Sequence, residues 1–181
     1  TVAADKQRVT SSENDLFFKE ILKKTTSNPR ILLVHFASPP ERLELNKERD
    51  TNQFLRNKGD KELIFIEAEE EAFIEQISRS DVVYLGGGTT GQLLSALGAY
   101  PDLADSLKSK IVAGESAGAN VQATYCYSKS GGGIIKGLGL LPVFMWPHYE
   151  KGNDKEIDLT QIPNSLEELF LGNYQFKVFE I

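Results

Sequence analysis

Four short segments of the chain are almost wholly apolar: ILLVHF from Ile31, LIFIE from Leu63, VVYLG from Val82 and IVAG from Ile111. Runs of this length without polar alternation fit strands buried on both faces, as in a parallel sheet. A fifth β-rich run, FKVFEI, starts at Phe176. Between the runs the apolar positions take a helical spacing. Ser12 or Asn14 is placed to cap a helix carrying Leu16, Phe17, Ile21 and Leu22. The segment from Glu41 to Lys58 is charged and amphipathic, with Pro39-Pro40 before it and Gly59 after it. Glu70 to Arg79 sets Phe73, Ile74 and Ile77 on one face. Alternating strand and helix predict a doubly wound α/β domain, a mainly parallel sheet flanked by helices. There is no internal repeat, low-complexity tract or linker, so residues 1–181 read as a single domain. A doubly wound sheet normally begins with a central strand, whereas a helix comes first here and no initiator Met is present. The expectation is that the native protein has an N-terminal strand that this sequence lacks.

Composition narrows the partners. Apolar residues make up 40% and charged residues 25% of 181 residues, which suits a globular domain with a real core. The net charge is −6 and no Lys/Arg run stands out, which argues against nucleic acid and anionic membranes. No apolar run approaches a membrane span, and TVAADKQRV lacks the apolar core of a secretory signal. The single cysteine, Cys126, excludes an intrachain disulfide and fits a reducing compartment, with the cytoplasm as the default. Two histidines and one cysteine, far apart in sequence, give no metal-ligand cluster. No cofactor is expected, and a homo-oligomer is compatible with the sequence.

The chemistry concentrates in two glycine-rich turns. Gly114-Glu115-Ser116-Ala117-Gly118 fits G-x-S-x-G and lies between a strand and a helix, the context that a nucleophile elbow needs. Ser116 would then stand at the carboxyl end of a strand, where α/β sheets place their ligands. Gly114 tolerates unusual dihedrals, Gly118 permits close helix–strand approach, and the helix start aims N–H groups at a developing oxyanion. A tight turn with a capping serine explains the same five residues equally well. The second turn, GGGTTGQLL, follows the strand at Val82. It lacks a phosphate-loop ending and dinucleotide spacing, but suits an oxyanion-hole N–H beside the next strand's serine.

A serine nucleophile needs a base. His35 lies within an apolar strand and reads as a core or strand-end residue; His148, in a loop at a strand end, is the better base. Between Ser116 and His148 there is neither Asp nor Glu. The nearest acids are Glu115, Glu150, Asp154, Glu156 and Asp158. Glu115 is expected to point away from His148. Glu150, two residues past the base, could fold back on it as a third member, although the turn-forming Gly152 and Asn153 come only after it; a water or a carbonyl could serve instead. Phe144, Met145 and Trp146 read as core or pocket wall, and the acidic run from Glu67 to Glu71 as a solvated helix start.

Together GGGTTGQLL, GESAGANV and Pro147-His148 resemble the signatures of the peptidase E (aspartyl dipeptidase) family, whose relatives include the cyanophycinases. The resemblance covers Val82 to Tyr149. It implies a class I glutamine-amidotransferase-like, flavodoxin-like fold, Ser116 as nucleophile, His148 as base, and Gly88 and Ala117 as oxyanion donors. It also implies hydrolysis of small peptides bearing an N-terminal aspartate through an acyl-enzyme. Three departures stand out. Thr89 replaces the family's usual Asn, Ser130-Gly131-Gly132 stands near where dipeptidase E carries its triad Asp, and the chain runs only 33 residues past His148. No arginine follows Arg79, so Lys129, Lys136 and Lys151 are the stand-ins for a carboxylate-reading group. Two other readings stay open. One is a binding or regulatory domain that kept the elbow and lost the triad. The other is an α/β-hydrolase-type esterase, which would want an acid between serine and histidine. A glutamine amidotransferase is disfavoured, because its nucleophile is cysteine and Cys126 is expected inside the helix after the elbow.

Overall fold

A computed structural model describes residues 12–152 and 157–180. Its first half is a four-stranded sheet of β1 (Arg30–Val34), β2 (Ile64–Glu67), β3 (Val82–Leu85) and β4 (Ile111–Gly114). All pairings are parallel, in the order β2-β1-β3-β4, the arrangement with which a flavodoxin-like sheet begins. The apolar runs form strands because both faces of the sheet are covered. Leu32, Val34, Val83 and Leu85 face one core with Phe73, Ile77, Leu93 and Leu97. Ile31, Leu33, Val82 and Tyr84 face the other, with Phe18, Ile21, Leu22 and Phe54.

Helices α1 (Asp15–Lys23) and α2 (Leu43–Asn57) supply the second core. Helices α3 (Phe73–Ser78), α4 (Thr90–Leu97), α5 (Leu103–Ser106) and α6 (Ala117–Gln122) supply the first. The expected elements of this half are all present. The edges differ in detail: Ser12–Asn14 is a 3₁₀ turn, Asn14 makes no side-chain cap bond, and Phe18, not Leu16, joins the core. The acidic run is split between the end of β2 and a 3₁₀ turn at Glu70–Ala72.

The second half departs from expectation. The helix after the elbow stops at Gln122, and the chain turns into β5 (Ala123–Ser128). Thr124, Tyr125 and Tyr127 are β-favouring, and α6 is only six residues long. Cys126 is therefore a buried strand residue, not a helical one. With β6 (Gly133–Lys136), β7 (Leu141–Pro147) and β8 (Glu167–Leu171) it builds a second sheet in the order β6-β5-β7-β8. Only the β5–β6 hairpin is antiparallel. Ala123, Cys126, Val143 and Met145 pack one face of it; Phe144 and Trp146 pack the other with Tyr125, Tyr127 and Phe170. The expected strand at Phe176 is not one: residues 176–180 are irregular, with Phe176 resting on Phe17 at a centroid distance of 5.8 Å and Phe179 on the second sheet. No helix among the described residues is long and apolar enough to cross a membrane.

Candidate active site

The elbow is a consequence of two glycines. A side chain at Gly118 would bring its Cβ within 1.9 Å of the Leu85 carbonyl, and one at Gly114 within 2.3 Å of Gly118. Without those side chains α6 seats directly against the carboxyl ends of β3 and β4. The Gly118 N–H donates to the Glu115 carbonyl (2.9 Å) and the Glu115 N–H to that of Leu85 (3.0 Å), which closes the turn. Ser116 is left at φ 53°, ψ −105°. For a residue with a Cβ this is a sparsely populated conformation, one that persists where the surroundings over-determine it.

The glycine loop lies beside the serine. A Cβ on Gly87 would be 3.6 Å from Ser116 Cβ, and Gly88, at φ 148°, approaches Ala37 so closely that a Cβ would sit 2.1 Å from its carbonyl oxygen. Thr89, in place of the family's Asn, donates its N–H to that same carbonyl (2.9 Å). Ala117, the first residue of α6, follows the serine directly.

His148 follows the last residue of β7 and has φ 58°. Its Nε2 accepts from Ser116 Oγ at 2.9 Å. Its Nδ1 donates to Asn173 Oδ1 at 2.7 Å. An amide oxygen only accepts, so this contact holds the ring proton on Nδ1 and leaves the Nε2 lone pair facing the serine hydroxyl. Asn173 stands two residues past β8, and β8 pairs parallel to β7 with Pro147 opposite Leu171. The two strand ends therefore deliver His148 and Asn173 side by side.

The third position at the histidine thus belongs to Asn173, not to Glu150, which is exposed on the wall of the same cavity. Asp154 and Glu156 lie outside the described residues, and Asp158 caps its own turn by accepting from the Thr160 N–H. Sequence reasoning missed Asn173 because it sought a carboxylate and did not recognise β8. The short apolar run Leu169-Phe170-Leu171 ahead of Gly172-Asn173 is the signal that could have found the strand and so the residue at its end.

His35 is buried at the end of β1 and donates through Nε2 to Asp50 Oδ2 (3.0 Å), away from Ser116. Glu115 turns from His148, as expected. Its Oε2 accepts from the buried Tyr84 hydroxyl (2.7 Å) and faces Arg49 Nη2 at 3.5 Å. Burial works against the Arg49 charge, but Glu115 and Asp50 more than offset it, so its pKa is raised. Burial, with Asp50 and Glu115 nearby, also holds the Tyr84 phenol well above its ordinary value.

Ser116, His148, Glu150 and Asn173 open on one cavity of about 1910 Å³ between the two sheets, also lined by Met145 and Leu171. Its arginines are Arg42 and Arg49. Lys129, Lys136 and Lys151, the expected stand-ins, are exposed and lie outside its lining. No group of metal-ligating side chains occurs among the described residues.

The profile of Peptidase family S51 matches residues 6–169 of the chain. The fold is similar to the 1.5 Å crystal structure of a candidate peptidase E from Listeria monocytogenes EGD-e. The likeness has a TM-score of 0.61 at 19% sequence identity and covers 87% of this chain and 85% of that one. No protein with a curated description matches the sequence.

Proposed function

The chain belongs to peptidase family S51 and is a serine peptidase, and from there we propose that Ser116, His148 and Asn173 act together as its catalytic group. The observation that carries this reading is the continuous line of contacts from Ser116 Oγ through His148 to Asn173 Oδ1. In this scheme Ser116 Oγ attacks a peptide carbonyl and its proton passes to His148 Nε2. The tetrahedral oxyanion meets backbone N–H groups of Gly88 and Ala117. Collapse releases the amine, protonated by the same Nε2, and leaves an acyl-enzyme. Water then attacks with His148 again as base. Asn173 keeps the imidazole in the productive tautomer, as the asparagine does in Cys-His-Asn peptidases. It adds no negative charge, so the imidazolium is stabilised less than beside a carboxylate.

The substrates proposed are small peptides, aspartyl peptides among them, acting in a reducing compartment such as the cytoplasm. Arg42, exposed on the cavity wall, is the cation best suited to an acidic side chain, since Arg49 already faces Glu115 and Asp50. Labelling with a fluorophosphonate tests the scheme without knowledge of the substrate: Ser116 Oγ displaces fluoride at phosphorus only if it is activated. The wild type should label at Ser116, and Ser116→Ala and His148→Ala should not. An unreactive wild type would favour a binding domain that has kept the elbow geometry alone.

A further inference from the structure

A row of buried and half-buried polar and charged groups runs beneath the elbow and the glycine loop. Asp50 on α2 has a fully buried side chain and accepts from His35 Nε2 (3.0 Å) and from Arg49 Nε (2.6 Å). Arg49 reaches on to Glu115 through Nη2 at 3.5 Å, a separation of an ion pair and not of a hydrogen bond. Tyr84 on β3 donates to the same Glu115 oxygen at 2.7 Å. The glycine loop rests on the other end of the row: a Cβ on Gly86 would lie 3.1 Å from His35 Cδ2 and 3.6 Å from Asp50 Oδ2. One set of side chains therefore touches the end of β1, the glycine loop and the residue before Ser116.

We propose that Glu115, tied down by Tyr84 and Arg49 with Asp50 and His35 behind them, is a positioning residue that sets Ser116 against His148 and the glycine loop. The proposal rests on Ser116 being the nucleophile. Ser116 holds a backbone conformation that needs support from its surroundings. Both backbone polar groups of Glu115 are used in the turn and its carboxylate is held by the row. A carboxylate there, aimed away from the histidine and paired with Tyr84 and Arg49, makes sense as an anchor. The row also explains why α2 carries Asp50 on its buried face, where a packing residue would otherwise stand.

The test uses the fluorophosphonate probe on the full chain, with kinact and KI measured separately across pH. Glu115→Ala should lower kinact by about 10²-fold, the loss expected when a reacting atom is misplaced by around an ångström. Glu115→Gln, which can still accept from Tyr84, should recover part of it. The pH midpoint of labelling should stay at the wild-type value, because the His148–Asn173 pair is untouched. A stability-only role would lower the melting temperature and leave kinact per folded molecule unchanged. If Glu115→Ala does not fold, Tyr84→Phe decides: slower kinact at unchanged KI supports the proposal, and kinact at the wild-type value overturns it. An unreactive wild type would defeat the catalytic scheme, yet positioning can still be read from crystal structures. Displacement of Ser116 Oγ from His148 Nε2 in Glu115→Gln or Tyr84→Phe supports the proposal, and retention of the 2.9 Å contact in both overturns it.

Discussion

Asn173 is the residue on which the character of the site turns. Its Oδ1 takes the place at His148 Nδ1 where a carboxylate would also fit. Asn173→Ala removes the tautomer control and should lower the labelling rate by about 10²-fold. Asn173→Asp keeps the acceptor and adds an anion that favours the protonated ring. Labelling needs the neutral ring, so the acidic limb of the rate–pH profile should move to higher pH, by about one unit, while the rate on the plateau is kept or raised. An unmoved limb would show that the side chain at 173 does not act on His148. Cys126 makes a separate prediction at the same scale. Burial pushes its thiol up to about 12, so it should resist iodoacetamide in the folded protein at pH 8 and react once urea exposes it. The folded pKa is raised, so the associated stability is complete below the unfolded thiol's value. It falls as pH rises from there towards about 12, because only the unfolded chain ionises in that window.

Among the elements, α6 is the one with the least freedom. It is short, and its own hydrogen bonds would not hold it as an isolated helix. What fixes it is contact with the ends of β3 and β4 through Gly118 and Gly114. Gly118→Ala must push α6 away from Leu85 backbone atoms, which cannot yield as a flexible side chain would. The expected cost is about 3 kcal/mol, read from urea denaturation, together with loss of labelling as the elbow opens. Gly91, in the first turn of α4, has nothing within 4 Å of the Cβ position. Gly91→Ala should be neutral or slightly stabilising and serves as the control for a glycine replaced without a clash.

At the scale of the molecule, the site exists only where the two sheets meet. Ser116 comes from the first, and His148 and Asn173 from the ends of neighbouring strands in the second. The one tryptophan, Trp146, lies in the second sheet's aromatic cluster, stacked with Tyr127 at 4.2 Å. Its fluorescence therefore reports the half that carries His148. In a urea titration, fluorophosphonate labelling should disappear together with the native tryptophan signal, even if circular dichroism of the helix-rich first half changes later. Labelling that survives loss of the tryptophan signal would mean that the second sheet is not needed to activate Ser116.

The sequence by itself determined the first half of the protein and brought forward Ser116 and His148, which the structure sets 2.9 Å apart. Its apolar runs at Ile31 and Val82 are buried on both faces and those at Leu63 and Ile111 flank them in the same sheet, so each announces a strand without help from distant residues. The glycines at 114 and 118 are local requirements of a sharp turn. The second sheet was decided by tertiary contacts. Its strands carry aromatic, polar and glycine residues, and ATYCYS continues from a helix with no breaking residue between them. Pairing with Gly133–Lys136 on one side and Leu141–Pro147 on the other commits that segment to a strand. FKVFEI shows the converse: its β-rich composition is not matched by any strand partner among the described residues. Asn173 belongs to the same class of fact. The apolar run before it marks a strand end, but not that the residue there partners a histidine 25 residues away. That role follows from the parallel register setting Pro147 opposite Leu171, and register is a property of two strands together, not of either one alone.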